Sequence, residues 1–137
     1  MRKVFVTGIG TDVGKTIIAA ILTEALQADY WKPIQCGSLE LTDTERVKRL
    51  VESKQSYFHS EAYLLGTPAS PHYAAEVEDK KIHWGRLKVP ETENTLVIEG
   101  AGGILVPFNY KGESMLDMAK NWDAEVVIVS RNYLGSI

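Results

Sequence analysis

The sequence is poor in cysteine, in long apolar runs and in clustered basic residues, and each shortage removes a class of function. Cys36 is the only cysteine. An intrachain disulfide is therefore impossible, which suits a reducing cytoplasm. The three histidines and that one thiol show no zinc-ligand spacing. No stretch approaches the roughly 18 apolar residues that a membrane helix needs. The start, "MRKVFVTG", holds too short an apolar run for a signal peptide. Net charge is −3 and no long basic run occurs. Phosphate-backbone binding needs clustered Lys and Arg, so neither nucleic acid nor a membrane is expected as a partner.

What is present is an ordinary globular composition. The chain has 137 residues, with 45% apolar and 24% charged. That length is typical of one domain, and no repeat, low-complexity segment or linker divides it. Lys3–Thr7 ("KVFVT") reads as a buried strand. Gly14–Ala28 reads as a helix, with an apolar face of Ile17, Ile18, Ile21, Leu22, Ala25 and Leu26. Asp29–Gln35 is expected to be one short strand, with Pro33 at its end or edge. Thr42–Glu52 reads as a helix with a capping box of Thr42 and Glu45. The Tyr57–Ala75 region is expected to be an irregular loop leading into a helix from about His72. Lys80–Leu87 is expected to extend helical structure. Thr95–Glu99 ("TLVIE") is a buried strand broken by "GAGG", and Ile104–Phe108 is a short apolar piece. Ser114–Asn121 is a helix and Glu125–Ser130 ("EVVIVS") the last strand. Strands alternating with helices predict an α/β fold with a mostly parallel, twisted sheet and helices on both faces.

The stretch "FVTGIGTDVGKTIIAAIL" lies where a phosphate-binding loop belongs, after a strand and opening a helix. The strict loop has Gly, four residues, then Gly-Lys-Ser/Thr. Ile9 occupies the place of its first glycine, and Gly8 opens a loop one residue longer, ending in Gly14-Lys15-Thr16. The amides and the helix N-terminus favour an anion. Lys15 can reach the β- and γ-phosphates and Thr16 can hold Mg²⁺ through its hydroxyl.

Three further positions could carry chemistry. Lys32 stands at the carboxyl end of the second predicted strand, where ligands bind in open α/β sheets, although a solvated strand-end lysine explains it equally well. Asp43 at a helix start is explained by the helix dipole and could also serve a metal. Glu99 ends a buried strand, where a carboxylate needs a partner or a cation. Gly100, Gly102 and Gly103 beside it permit close backbone approach. Mg²⁺ takes few carboxylate or hydroxyl oxygens plus phosphates, a set that Thr16, Asp43 and Glu99 could supply. His72 is expected to be a loop or helix-start residue rather than a base.

Five motifs together, "VTGIGTDVGKT", "WKPIQCG", "TDTERV", "PASPHYAAE" and "IEGAGGILVP", occur in the order found in dethiobiotin synthetases. The chain resembles that family from about Val4 to Ile137. The resemblance implies a P-loop NTPase-like fold and an ATP- and Mg²⁺-dependent enzyme that carboxylates 7,8-diaminopelargonic acid with CO₂. In such enzymes the carbamate attacks the γ-phosphate, and the second amine of the mixed carbamic–phosphoric anhydride closes the cyclic urea. By the same resemblance Asp12, Val13, Gly14, Lys15, Thr16 and Ile17 wrap the phosphates, and Lys15 and Lys32 are catalytic. Thr16, Asp43 and Glu99 match the metal ligands. Glu99, Gly100, Ala101 and Gly102 border the nucleotide. Thr11, Cys36 and Gly103 face the substrate, with Cys36 where the family commonly has Ser or Thr. A thiol is a weaker hydrogen-bond partner than a hydroxyl.

The resemblance also implies a cytoplasmic homodimer. Members of the family are longer, and "SRNYLGSI" matches the point where a further helix and the rest of their sheet follow. A βα unit stopping at the start of its helix leaves a strand face uncovered. Residues 1–137 are therefore expected to be the N-terminal part of a longer synthetase domain. Later segments of the family complete the adenine and substrate pockets, so the chain alone is expected to turn over poorly. A partitioning-type ATPase of the deviant-loop class is the first alternative, but those proteins carry a lysine early in the loop and "GIGTDV" has none. A nonenzymatic nucleotide-binding regulatory domain is the second, and it would have no need of "WKPIQCG" together with "PASPHYAAE".

Overall fold

In the computed structural model, residues 1–134 are described. The elements run β1 (Lys3–Gly8), α1 (Lys15–Leu26), β2 (Asp29–Trp31), β3 (Ile34–Cys36), α2 (Asp43–Leu50), β4 (Phe58–His59), β5 (Tyr63–Leu65), α3 (Pro71–Val77), β6 (Leu96–Glu99), α4 (Met115–Asn121) and β7 (Glu125–Val129). The helix start to which "SRNYLGSI" is expected to lead lies outside the described residues.

The main sheet has the order β4-β2-β6-β1-β7, and every ladder in it is parallel. Parallel strands need crossovers and helical cover on both faces. That cover is present. On one face Val6, Tyr30 and Val97 pack with Ala19 and Ala20 of α1 and Val47 of α2. On the other, Phe5, Trp31, Leu96 and Ile98 pack with Ala74 and Ala75 of α3 and Met115, Met118 and Ala119 of α4. The α/β architecture expected from the sequence is thus observed. The strands β1 and β6 alternate cleanly between these two cores, and at their carboxyl ends Glu99 stands in register with Val6, two residues before Gly8.

Three local expectations are corrected. The single strand over Asp29–Gln35 is two. Pro33 has no amide to donate, so the ladder stops at Trp31, and the chain turns before Ile34–Cys36 pairs with β5 in a separate two-stranded sheet. Lys32 sits in that joint. The Tyr57–Ala75 region contains β4 and β5, strands of two and three residues that are too short to show a period. The helix expected after them from about His72 is present and starts at Pro71. Lys80–Leu87 is not helical, because Asp79 closes α3 with a left-handed φ of 52°. The segment is instead pinned by buried Ile82 and Leu87 and by the Tyr63 hydroxyl, which accepts from the His83 amide at 3.0 Å.

The inward face of α1 is also rotated from expectation. Lys15, Ala19, Ala20 and Thr23 are buried, whereas Ile17 and Ile21 are more than half exposed. Small residues let α1 lie close to the sheet, so the larger ones turn outward. Of the expected capping box on α2, half is formed. Thr42 Oγ1 accepts from the Glu45 amide at 3.3 Å, without the return bond. The complete box is on α4, between Ser114 and Asp117. On β7, Val126 and Ile128 are exposed. Among the described residues no helix is long and apolar enough to cross a membrane.

Candidate active site

The loop between β1 and α1 passes tightly over the sheet edge. A Cβ on Gly8 would come within 2.6 Å of Val13 Cγ2 and 3.2 Å of the Val129 carbonyl oxygen, so only glycine fits. Gly14 caps α1 at φ 103°, a left-handed conformation open to glycine. The "GAGG" turn is laced to this loop. The Ile104 amide donates to the Gly8 carbonyl at 2.9 Å, and the Gly100 amide to that of Val6 at 2.9 Å.

A groove of about 1400 Å³ opens between the two turns and the start of α2. Thr11, Asp12, Gly14, Lys15, Thr16 and Ile17 line it from the first turn, and Lys32, Cys36 and Asp43 from the β2–α2 side. Glu99, Ala101, Gly102 and Gly103 line it from β6 and the turn that follows. Val13 and Gly100 lie beneath the surface. Val13 packs into the core, and the Gly100 carbonyl accepts from Lys32 Nζ at 3.2 Å. Residues spread over 93 positions of sequence, from Thr11 to Gly103, are thereby gathered at the carboxyl ends of the strands.

The charges are paired closely. Lys32 Nζ lies 2.7 Å from Asp43 Oδ2 and 3.3 Å from Glu99 Oε1. Burial opposes the charge on Lys32, but Glu99 and Asp43 outweigh it and raise its pKa. The ammonium is held charged between two carboxylates. Lys15 donates to the Gly10 carbonyl at 2.8 Å. Burial, and then the charge of Lys32, lower its pKa. An anion placed between the two lysines would relieve both. Cys36 is pushed up to about 11 by burial against the opposing pull of Lys32, so it stays a neutral thiol near pH 7.

Glu99 is 1% exposed and has three donors. Thr16 Oγ1 donates to Oε1 at 2.8 Å, Lys32 to the same oxygen, and the Tyr30 hydroxyl to Oε2 at 2.6 Å. Among the described residues no group of three or more His, Cys, Asp and Glu gathers as a metal cage. Thr16 and Glu99 in contact, with Asp43 across Lys32, instead make a small set of hard oxygen donors. That set fits Mg²⁺, which takes one or two carboxylates and leaves its other positions to water and phosphate.

Sequence reading missed several groups here. Tyr30 is one, although it stands two residues before Lys32 and therefore on the same side of the chain. Gln35 is another. Its amide nitrogen donates to the Gly37 carbonyl at 3.0 Å, and its oxygen accepts from the Asp43 amide at 3.0 Å, which fixes the start of α2. Arg46 and Arg49 of α2 also line the groove, spaced as one helix face. From "PASPHYAAE", Pro68, Ala69, Ser70 and Pro71 reach the groove wall. His72 is in the first turn of α3 and sits 3.2 Å through Nδ1 from Ser70 Oγ.

Comparison with known proteins finds relatives along the whole length of the chain. The chain is 54% identical over 136 residues to the ATP-dependent dethiobiotin synthetase BioD of Christiangramia forsetii, covering 99% of this chain and 65% of that protein. It is 51% identical over 138 residues to the protein of the same name from Cytophaga hutchinsonii, covering 100% and 66%. The counterpart from Chlamydia pneumoniae is 43% identical over 137 residues, covering 100% and 61%. The chain thus spans just under two thirds of the length of these curated relatives. Residues 2–137 match the family described as AAA domain, and the chain belongs to that family.

Proposed function

We propose that residues 1–137 form the nucleotide-binding part of an ATP- and Mg²⁺-dependent dethiobiotin synthetase. Its substrates in this reading are 7,8-diaminopelargonic acid and CO₂. The observation that carries the reading is the convergence of Lys15, Thr16, Lys32, Asp43 and Glu99 on one groove. Relatives of that name share the whole length of the chain. Phosphoryl transfer asks for positioning and charge neutralisation rather than a protein nucleophile. The groove supplies two lysines, a helix N-terminus and three oxygen donors.

In this reading Asp12, Val13, Gly14, Lys15, Thr16 and Ile17 wrap the phosphates. Lys15 balances charge on the transferred group. Lys32 receives the carbamate formed from one amine and CO₂, and steadies it as its oxygen attacks the γ-phosphate. The second amine then displaces phosphate and closes the ring. Thr16, Asp43 and Glu99 would hold Mg²⁺, which would supply charge neutralisation for the phosphates. Gly100, Ala101 and Gly102 border the nucleotide. Thr11, Cys36 and Gly103 border the diamine. The neutral Cys36 thiol is a weak donor there and no nucleophile. The working enzyme is a cytoplasmic homodimer in this reading.

The test measures ADP release with and without the diamine and bicarbonate. It uses the chain itself and a chimera that continues it with the remaining third of the Christiangramia forsetii relative. The expected result is ADP release by the chimera that requires both reactants. Release independent of the diamine, or ATP-driven assembly on DNA or vesicles, would overturn the proposal in favour of a partitioning-type ATPase. Nucleotide binding without any hydrolysis would favour a regulatory domain.

A further inference from the structure

We infer that Tyr30 is a positioning residue that holds Glu99 as a one-oxygen ligand and thereby sets the divalent-cation preference of the nucleotide site. The inference rests on the Mg²⁺–nucleotide reading above.

The two oxygens of Glu99 have different surroundings. Oε1 accepts from Thr16 Oγ1 at 2.8 Å and from Lys32 Nζ at 3.3 Å, on the groove side. Oε2 is taken by the Tyr30 hydroxyl at 2.6 Å, in the interior. Tyr30 is fully buried and Glu99 nearly so. Turning the carboxylate to offer both oxygens to one cation would break a short, charge-assisted hydrogen bond. It would also leave a buried hydroxyl without a partner. The phenol cannot follow the rotation. Its ring packs among Val6, Val97, Ala20 and Val47 in the core and stands 6.3 Å from the Phe58 ring.

Denticity separates the two common hard cations. Mg²⁺ demands near-octahedral geometry, which a single carboxylate oxygen suits, whereas Ca²⁺ binds a carboxylate through one oxygen or both. A Glu99 pinned at Oε2 offers one oxygen only, which suits Mg²⁺ and denies Ca²⁺ the two-oxygen mode. Nothing in the local sequence marks this. Tyr30 reads as a buried strand aromatic, and its partner lies 69 positions away.

The experiment compares the purified protein with Tyr30→Phe, which keeps the ring and removes only the hydroxyl. A fluorescent ATP analogue is titrated without metal, with Mg²⁺ and with Ca²⁺. The expected result is a shift of the Mg²⁺-over-Ca²⁺ affinity ratio toward Ca²⁺ by roughly tenfold, the lower end of what outer-shell partners of metal ligands contribute. Metal-free binding stays unchanged. Phe58→Leu serves as the packing control, since it loosens the same core without touching Glu99. It is expected to lower the melting temperature and keep the wild-type ratio. The inference is overturned if Tyr30→Phe keeps the wild-type ratio, or if Phe58→Leu changes the ratio as much. Metal-independent nucleotide binding by the wild type would overturn this inference and the Mg²⁺ reading together. Metal-dependent binding with an unchanged ratio in Tyr30→Phe would remove this inference alone.

Discussion

At the scale of single residues, the two lysines have opposite electrostatic settings. Lys32 has two carboxylates within 3.3 Å, whereas the charged group of Lys15 rests on a backbone carbonyl. Their removal should therefore differ in kind. In the chimera, Lys15→Ala and Lys32→Ala are each expected to lower turnover about tenfold or more, as loss of a transition-state charge partner does. Lys32→Ala alone should also destabilise the fold by about 3 kcal/mol or more, because it leaves Glu99 buried without its cation. Urea titration beside ADP release separates the two effects. Near-normal turnover in either variant removes that lysine from the chemistry. Cys36 gives a second check. Its pKa is raised from 9.0 to about 11, a difference of 2 and hence about a hundredfold less thiolate at pH 8. Iodoacetamide should label the folded protein about that much more slowly than the unfolded one. Equal rates would mean that the thiol is not buried as described. Lys15, Lys32, Asp43 and Glu99 were legible in the sequence because each stands in a recognisable motif. Tyr30 and Gln35 were not, because hydrogen bonds to positions 69 and 8 residues away leave no local pattern.

At the scale of elements, what matters is where strands and helices stop. Pro33 ends β2 and leaves Lys32 at a joint, pointing its ammonium back to Asp43 and Glu99. The start of α2 is fixed by two bonds, from the Asp43 amide to Gln35 Oε1 at 3.0 Å and from the Glu45 amide to Thr42 Oγ1 at 3.3 Å. Thr42→Ala removes the second. A lost cap of this kind costs about 1 kcal/mol. We expect a urea midpoint lowered to match, and weaker Mg²⁺-dependent nucleotide binding because Asp43 is the first residue of α2. Unchanged binding at lowered stability would show that Gln35 alone holds Asp43 in place. Long elements were legible because their period repeats. β4, β5 and the joint at Lys32 were not, since two or three residues carry no period. The segment expected to be helical over Lys80–Leu87 failed for another reason. Tertiary burial of Ile82 and Leu87 and the Tyr63 hydroxyl overrode a weak local preference.

At the scale of the whole molecule, the parallel sheet brings every candidate site segment to one edge. The phosphate loop, the β2–β3 joint, the first turn of α2 and the "GAGG" turn belong to different parts of the chain, yet all meet at the groove. A ligand that bridges them should stabilise the fold as a unit. At a hundredfold excess over its dissociation constant, a ligand specific for the folded state adds about 2.7 kcal/mol. For a domain of this size, that corresponds to a rise in melting temperature of roughly 10 °C. We expect such a rise with an ATP analogue and Mg²⁺ together and a much smaller one with either alone. Gly8→Ala should remove it, since a methyl there collides with Val13 and the Val129 carbonyl and forces the loop out of shape. Lys15→Ala should remove most of it while leaving the unliganded melting temperature nearly unchanged, because the hydrogen bond that Lys15 donates goes to a loop carbonyl and not to a buried carboxylate. If Gly8→Ala retained the full shift, the loop from Gly8 to Thr16 would not be the phosphate site, and the groove would have to take its ligand from the α2 side, where Arg46 and Arg49 line the wall.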